Sequence, residues 1–203
     1  KNVKNLDLAK KIKSVNCIFK INTTLFGDNT DGYGFIKSLR KYKKLKTINN
    51  SIVLGYGGVG KSITHYLDSQ LNKKSKIYLF RRKLTKTNLS KKTKSRNWGN
   101  LSSEIKNVDL VVNCTSLGDI NNVNKSPIFF KDSNIFNKKA FFFDAIYNPK
   151  VTSFIEYAKY NNFDNLNGLQ MNLFQAIRAI YLAMNKKIPQ KKIEQILIKR
   201  FLN

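Results

Sequence analysis

Residues 51–80 constrain this chain more than any other stretch. Ser51 to Leu54 is a buried-type apolar run that leads straight into Gly55-Tyr56-Gly57-Gly58-Val59-Gly60. Ile63, Tyr66, Leu67 and Leu71 then share one helical face, and Lys76 to Phe80 returns to a strand pattern. A strand, a G-x-G-x-x-G turn, a helix and a second strand, all within about 30 residues, make a βαβ unit. Its glycines let backbone approach a pyrophosphate whose charge meets the helix N-terminus. Two further continuous apolar runs, Asp109 to Cys114 and Ala140 to Ile146, suit parallel strands covered on both faces. Helical patterns over Val151 to Tyr160, Leu169 to Met184 and Lys191 to Leu202 complete the alternation. The fold class expected is α/β, a Rossmann-like doubly wound parallel sheet.

Upstream, Val15 to Ile21 reads as a short strand with Leu25 to Gly27 as its hairpin partner across Asn22, Thr23 and Thr24. From Asp31, the residues Phe35, Ile36, Leu39 and Tyr42 follow helical spacing, with Thr30 or Asp31 as N-cap. Lys83 to Asn97 is Lys/Ser/Thr-rich and reads as a weak helix or a long loop. Charge is the compositional outlier, with 38 Lys plus Arg against 12 Asp plus Glu and a formal net charge of +26. Such a balance raises nucleic acid as a partner. Here, however, the lysines recur in every segment rather than clustering with aromatics, so compositional drift explains them better and no specific nucleic acid is expected. Cys17 and Cys114 form no zinc spacing and no disulfide framework, so no metal is expected and a reducing cytoplasmic setting is. No apolar run approaches the roughly 18 residues of a membrane span, and no signal-like leader is visible.

The glycine motif admits a rival. Gly55 to Ser62 also fits G-x-x-x-x-G-K-S, the loop of a P-loop NTPase. That chemistry wants a strand ending in Asp near Mg²⁺, whereas the strand from Asp109 ends Asn-Cys-Thr. The second strand ends Phe80-Arg81-Arg82-Lys83, with Lys86 beyond. Cations at that point match the 2′-phosphate of NADP and leave no acid for the ribose of NAD.

Asn29-Thr30-Asp31-Gly32-Tyr33-Gly34-Phe35 reads blandly as turn formers and a helix cap, and chemically as a carboxylate near a helix start. This segment occurs with Ser14-Val15-Asn16, the glycine motif, Asn113 to Gly118, Phe143 to Pro149 and Gly168 to Gln175. In order and spacing the set resembles the shikimate dehydrogenase family over nearly the whole chain. The resemblance implies reversible, NADP-dependent reduction of 3-dehydroshikimate to shikimate, in aromatic amino-acid biosynthesis. It implies that Asn16 and Asp31 hydrogen-bond the substrate hydroxyls, with Asp31 in the catalytic centre, and that Tyr147 and Gln175 also line the substrate pocket. By the same resemblance Gly55, Tyr56, Gly57, Gly58 and Val59 hold the pyrophosphate. Arg81, Arg82 and Lys86 fall at the 2′-phosphate segment, Ala145 and Gly168 at the nicotinamide, and Asp7 at an acidic position associated with the cofactor.

The chain also departs from the family pattern. Arg81 and Lys83 replace neutral Asn and Thr, Ala145 stands where a larger apolar residue is common, and Asp119 replaces a frequent Met. The family's general acid/base is a lysine after a Val-Thr-x-Pro segment, and a Ser-x-Ser pair holds the substrate carboxylate. Both are expected upstream of Lys1, so the sequence reads as N-terminally incomplete and by itself is expected to turn over little or nothing. On this reading residues 1–30 are the end of a second α/β substrate lobe, of which only remnants are present. Residues 31–167 form the NADP-binding domain, and residues 168–203 are helices returning to the substrate lobe. A homodimer stays open. The competing readings are a quinate/shikimate dehydrogenase using NAD, a P-loop NTPase, and a basic nucleic-acid-binding module.

Overall fold

The computed structural model describes residues 3–84, 89–98, 105–128 and 135–201. In chain order the strands and helices are β1 (Val3–Asn5), α1 (Asp7–Ile12), β2 (Cys17–Ile21), β3 (Thr24–Asp28), α2 (Asp31–Leu39), β4 (Asn50–Leu54), α3 (Gly58–Gln70) and β5 (Lys76–Phe80). They continue with β6 (Thr93–Arg96), β7 (Val108–Asn113), β8 (Phe136–Asp144), α4 (Ser153–Tyr160), β9 (Asp164–Leu166), α5 (Leu169–Ala183) and α6 (Gln190–Phe201). The larger sheet has the order β6-β5-β4-β7-β8-β9, every neighbouring pair being parallel. Counted along the chain this is 3-2-1-4-5-6, the doubly wound dinucleotide-binding order, and the reversal between β4 and β7 opens a crevice at their carboxyl ends.

The central strands are apolar on both faces because both are covered. Ile52 and Leu54 of β4 join Phe80, Val111, Phe142 and α4 in one core, while Val53 joins Ile63, Leu67, Leu79 and the α2 residues Phe35 and Leu39 in the other. Burying a side chain of this size contributes about 1.5–3 kcal/mol. A second, three-stranded sheet has the order β1-β3-β2, with β1 parallel and β2 antiparallel to β3. Cys17, Phe19 and Phe26 from this sheet pack against Ala179 and Leu182 of α5. Helix α5 therefore belongs to two cores, since its other end places Met171 against the larger sheet.

Three expectations need correction. The Lys83–Asn97 stretch holds an edge strand, β6, where a weak helix or loop was expected. Its residues are Thr-Lys-Ser-Arg, a polar edge with no apolar alternation to reveal it. The glycines of Asn29–Phe35 are not turn residues, because Gly32 and Gly34 are buried inside α2. The Thr30 side chain caps nothing, although Thr30 is the N-cap residue. Elements β1, α1 and β9, of three, six and three residues, carry too little pattern to be read in advance. Among the described residues no helix is long and apolar enough to cross a membrane.

Candidate active site

Two features meet at the crevice: the glycine turn after β4, and the start of α2. Gly55 has φ +97°, a conformation that side chains rarely adopt. A Cβ on Gly60 would strike the Gly55 carbonyl, so the third glycine lets α3 pack down on the strand end. At Gly57, by contrast, a Cβ would meet nothing within 4 Å. Gly57 is the N-cap of α3 and offers no side-chain cap to the first-turn N–H groups. A helix N-terminus approached through an unobstructed glycine fits a phosphate-bearing group. The P-loop alternative fits less well, because it needs the Ser62 hydroxyl on a metal. Ser62 is fully buried and accepts a hydrogen bond from Gly32 N at 2.9 Å.

That same bond ties the second turn of α3 to the first turn of α2, which carries Asp31. Asn16 Nδ2 donates to Asp31 Oδ1 at 2.7 Å, and Asn16 Oδ1 accepts from Thr30 N at 2.9 Å. Thr30 Oγ1 lies 2.9 Å from Gln175 Oε1 and 3.3 Å from Asn16 Oδ1; a hydroxyl has one proton, and the nearer Gln175 receives it. Asn29 Oδ1 accepts from Asp31 N at 3.1 Å, while Asn29 Nδ2 donates to Ser14 Oγ at 3.4 Å. Ser14 Oγ in turn sits 2.8 Å from where a Cβ on Gly58 would lie. Asn16, Asp31 and Gln175, far apart in sequence, thus form one hydrogen-bonded set beside the glycine turn. Burial raises the Asp31 carboxyl pKa, opposed by the Asn16 and Asn29 side chains, which favour the charged form.

The remaining expected residues distribute around this set. Ala145 and Gly168 touch, since a Cβ on Gly168 would strike the Ala145 carbonyl, and Gly168 N donates to Ile146 O at 2.9 Å. Tyr147 follows them, 48% exposed and with no hydrogen bond to any described residue. Arg81 is buried, its guanidinium 5.1 Å from the centre of the Tyr56 ring, whereas Arg82 is exposed. Lys86 lies outside the described residues. Asp7 sits in the first turn of α1 and lines a cavity with Asp28 and Arg178. Thr30, Asn29, Ser14 and Ser62 are residues that the sequence named without giving them a place in this site. Thr30 was visible only as a cap candidate, and no local pattern reports a bond to a residue 145 positions away.

No protein-family model matches the chain. Curated relatives do. The NADP(+) shikimate dehydrogenase of Clostridium beijerinckii is 36% identical over 176 residues, 85% of this chain and 62% of that protein. The corresponding protein of Pelagibacter ubique is 34% identical over 197 residues, 93% of this chain and 68% of its own length. The chain therefore spans about two thirds of the length of these relatives. Among solved structures, shikimate dehydrogenase 1 of Peptoclostridium difficile superposes with a TM-score of 0.81 at 27% identity, covering 99% of this chain and 72% of that one. The glycine turn, the Asn16–Asp31–Gln175 set and these likenesses agree: the chain belongs to the shikimate dehydrogenase family.

Proposed function

We propose that this chain carries the NADP-binding unit, and part of the substrate-binding lobe, of an enzyme that reversibly reduces 3-dehydroshikimate to shikimate. The observation that carries the reading is the bonded set of Asn16, Thr30, Asp31 and Gln175, fastened to α3 through Gly32 and Ser62. It presents a carboxylate and two carboxamides beside an open glycine turn, as a polyhydroxylated substrate next to a phosphate-bearing cofactor requires. The two names NADP(+) shikimate dehydrogenase among the relatives support the same cofactor and substrate. Residues 1–30 and 168–203 form the substrate side and residues 31–167 the cofactor side; the packing of Cys17 and Phe19 on Leu182 supports that division. Both cysteines are free, which suits a reducing cytoplasm.

Gly55 to Val59 hold the pyrophosphate, Arg82 and Lys86 the 2′-phosphate, with Arg81 stacked on Tyr56 as the wall beside them. Ala145 and Gly168 give the nicotinamide a small-residue wall. When bound, the cofactor supplies or accepts the hydride. Asp31, oriented by Asn16 and by the Asn29 side chain, accepts the hydrogen bond of a substrate hydroxyl and holds its proton in line. Gln175, fixed by Thr30 and by its bond to Asn172 Oδ1 at 3.0 Å, orients a second hydroxyl. Tyr147 closes the mouth.

The test is cofactor binding by calorimetry. NADPH is expected to bind at least about tenfold more tightly than NADH, and Arg82→Ala to erase that preference. Gly57→Ala fills only open space, so it is expected to melt like the parent while losing NADPH. Binding of Mg²⁺-ATP in preference to NADPH, or equal affinity for NADH and NADPH, would overturn the reading.

A further inference from the structure

Behind the turn that carries Asp31 lies a cavity of about 490 Å³, within the range of small-molecule sites. Asn16, Asp31 and Gln175 do not line it. Residues 4–8, Asp28 and Asn29 line it together with Tyr33, Tyr66 and Arg178 from three helices.

Its charges are what set it apart. Asp28 is only 9% exposed. One of its carboxylate oxygens accepts from Asn29 N at 2.8 Å, and the other takes no hydrogen bond from any described residue. Arg178 acts on it electrostatically, opposing the upward push of burial, yet makes no ion pair with it within 4.0 Å. The guanidinium is held elsewhere: it donates to Gln190 Oε1 at 3.2 Å and stacks over Tyr33 and Tyr181, 5.5 and 5.4 Å from the ring centres. Gln190 Nε2 donates in turn to the Tyr33 hydroxyl at 2.5 Å, which fixes the arrangement. A buried carboxylate and a half-buried guanidinium thus line one space while being kept apart, so the Asp28 charge bears desolvation without the direct contact that would offset it.

Only one class of small ligand satisfies both walls. A simple anion would meet Asp28 and Asp7, and a simple cation would meet Arg178, Lys4 and Lys10. A molecule carrying both charges finds an opposite charge for each, and Leu6, Leu8 and Phe26 add apolar lining for a side chain. We propose that this cavity is a binding site for a zwitterionic α-amino acid with an apolar side chain, its ammonium on Asp28 and its carboxylate on Arg178. The occupant sits against Asn29, whose side chain holds Asp31 N, so it touches the back of the substrate site without entering it.

The experiment titrates the 203-residue chain with L-leucine and with L-phenylalanine, followed by calorimetry and by amide chemical shifts. Isopentylamine and 4-methylpentanoate, each with a single charge, serve as controls. Saturable binding of at least one amino acid is expected, with shifts clustered at residues 4–8, 28–33 and 178. Each control should bind at least about tenfold more weakly, and Asp28→Asn and Arg178→Gln should each weaken the amino acid by a similar factor. Should either variant fail to fold, the controls on the parent chain decide. Failure of both amino acids to saturate, meaning that the cavity holds water only, would overturn the proposal. So would a single-charge control binding as tightly as the amino acid, or binding undiminished in the folded variants.

Discussion

Asp144 ends β8 fully buried, and three donors converge on it: Asn113 Nδ2 at 3.1 Å, Ile146 N at 3.0 Å and Thr152 Oγ1 at 2.6 Å. Burial still wins, raising its pKa from 3.8 to about 6. A carboxyl whose folded pKa exceeds its unfolded value stabilises the fold fully at low pH, and that stability is lost as pH rises through the folded value. Asp144 therefore contributes about 3 kcal/mol less at pH 7 than below pH 4, at roughly 1.4 kcal/mol per pH unit. Asparagine preserves the shape, and the Thr152 hydroxyl can accept where it now donates. Urea unfolding of the parent and of Asp144→Asn across pH 4 to 7 should thus show the parent losing most of that amount relative to the variant; parallel curves would refute the assignment. At this scale the sequence was readable where residues cluster locally, as around the glycine turn. It was opaque where a side chain acts at a distance: Asn16 was found through the family resemblance, and Thr30 only through its bonds to Asn16 and Gln175.

Helix α2 is gripped from two sides, and its two glycines explain how. A Cβ on Gly32 would strike Tyr66 and Ser62 of α3, and one on Gly34 would strike the Met171 carbonyl and lie 2.8 Å from Gln175 N of α5. The obstacles at Gly34 are backbone atoms, which cannot rotate away. Gly34→Ala is therefore expected to cost about 1–3 kcal/mol. It should lower the melting temperature by roughly 2–4 °C for each kcal/mol, and loosen the Thr30–Gln175 contact with it. Thermal melts and shikimate binding by calorimetry check the two effects, and a variant as stable as the parent would show that the helices can separate freely. Elements with a strong apolar period were legible from sequence, β5 to the residue and β4, β7, α4 and α5 within a residue or two. β8 begins four residues before the expected Ala140, because Phe136 anchors it against Phe142, Tyr157 and Phe163 beyond two exposed lysines. Edge strands with polar or very short sequences had no such period to show.

Across the whole molecule the net charge of +26 does little to hold the fold together, since among the described residues Lys37–Glu194, at 3.3 Å, is the one ion pair within 4.0 Å. Cohesion comes instead from α5, which lends Met171 to the sheet core and Leu182 to the small lobe. The two cores are expected to unfold as a single cooperative unit. Fluorescence of Trp98, packed beside Phe80, reports the larger sheet, and thiol reactivity of buried Cys17 reports the lobe. Both should change at the same denaturant concentration, and two separated midpoints would disprove the coupling. The same helix acts mechanically as a strut. Its 15 residues run unbroken from Met171 in the sheet core to Leu182 in the lobe, so one rigid element spans both layers.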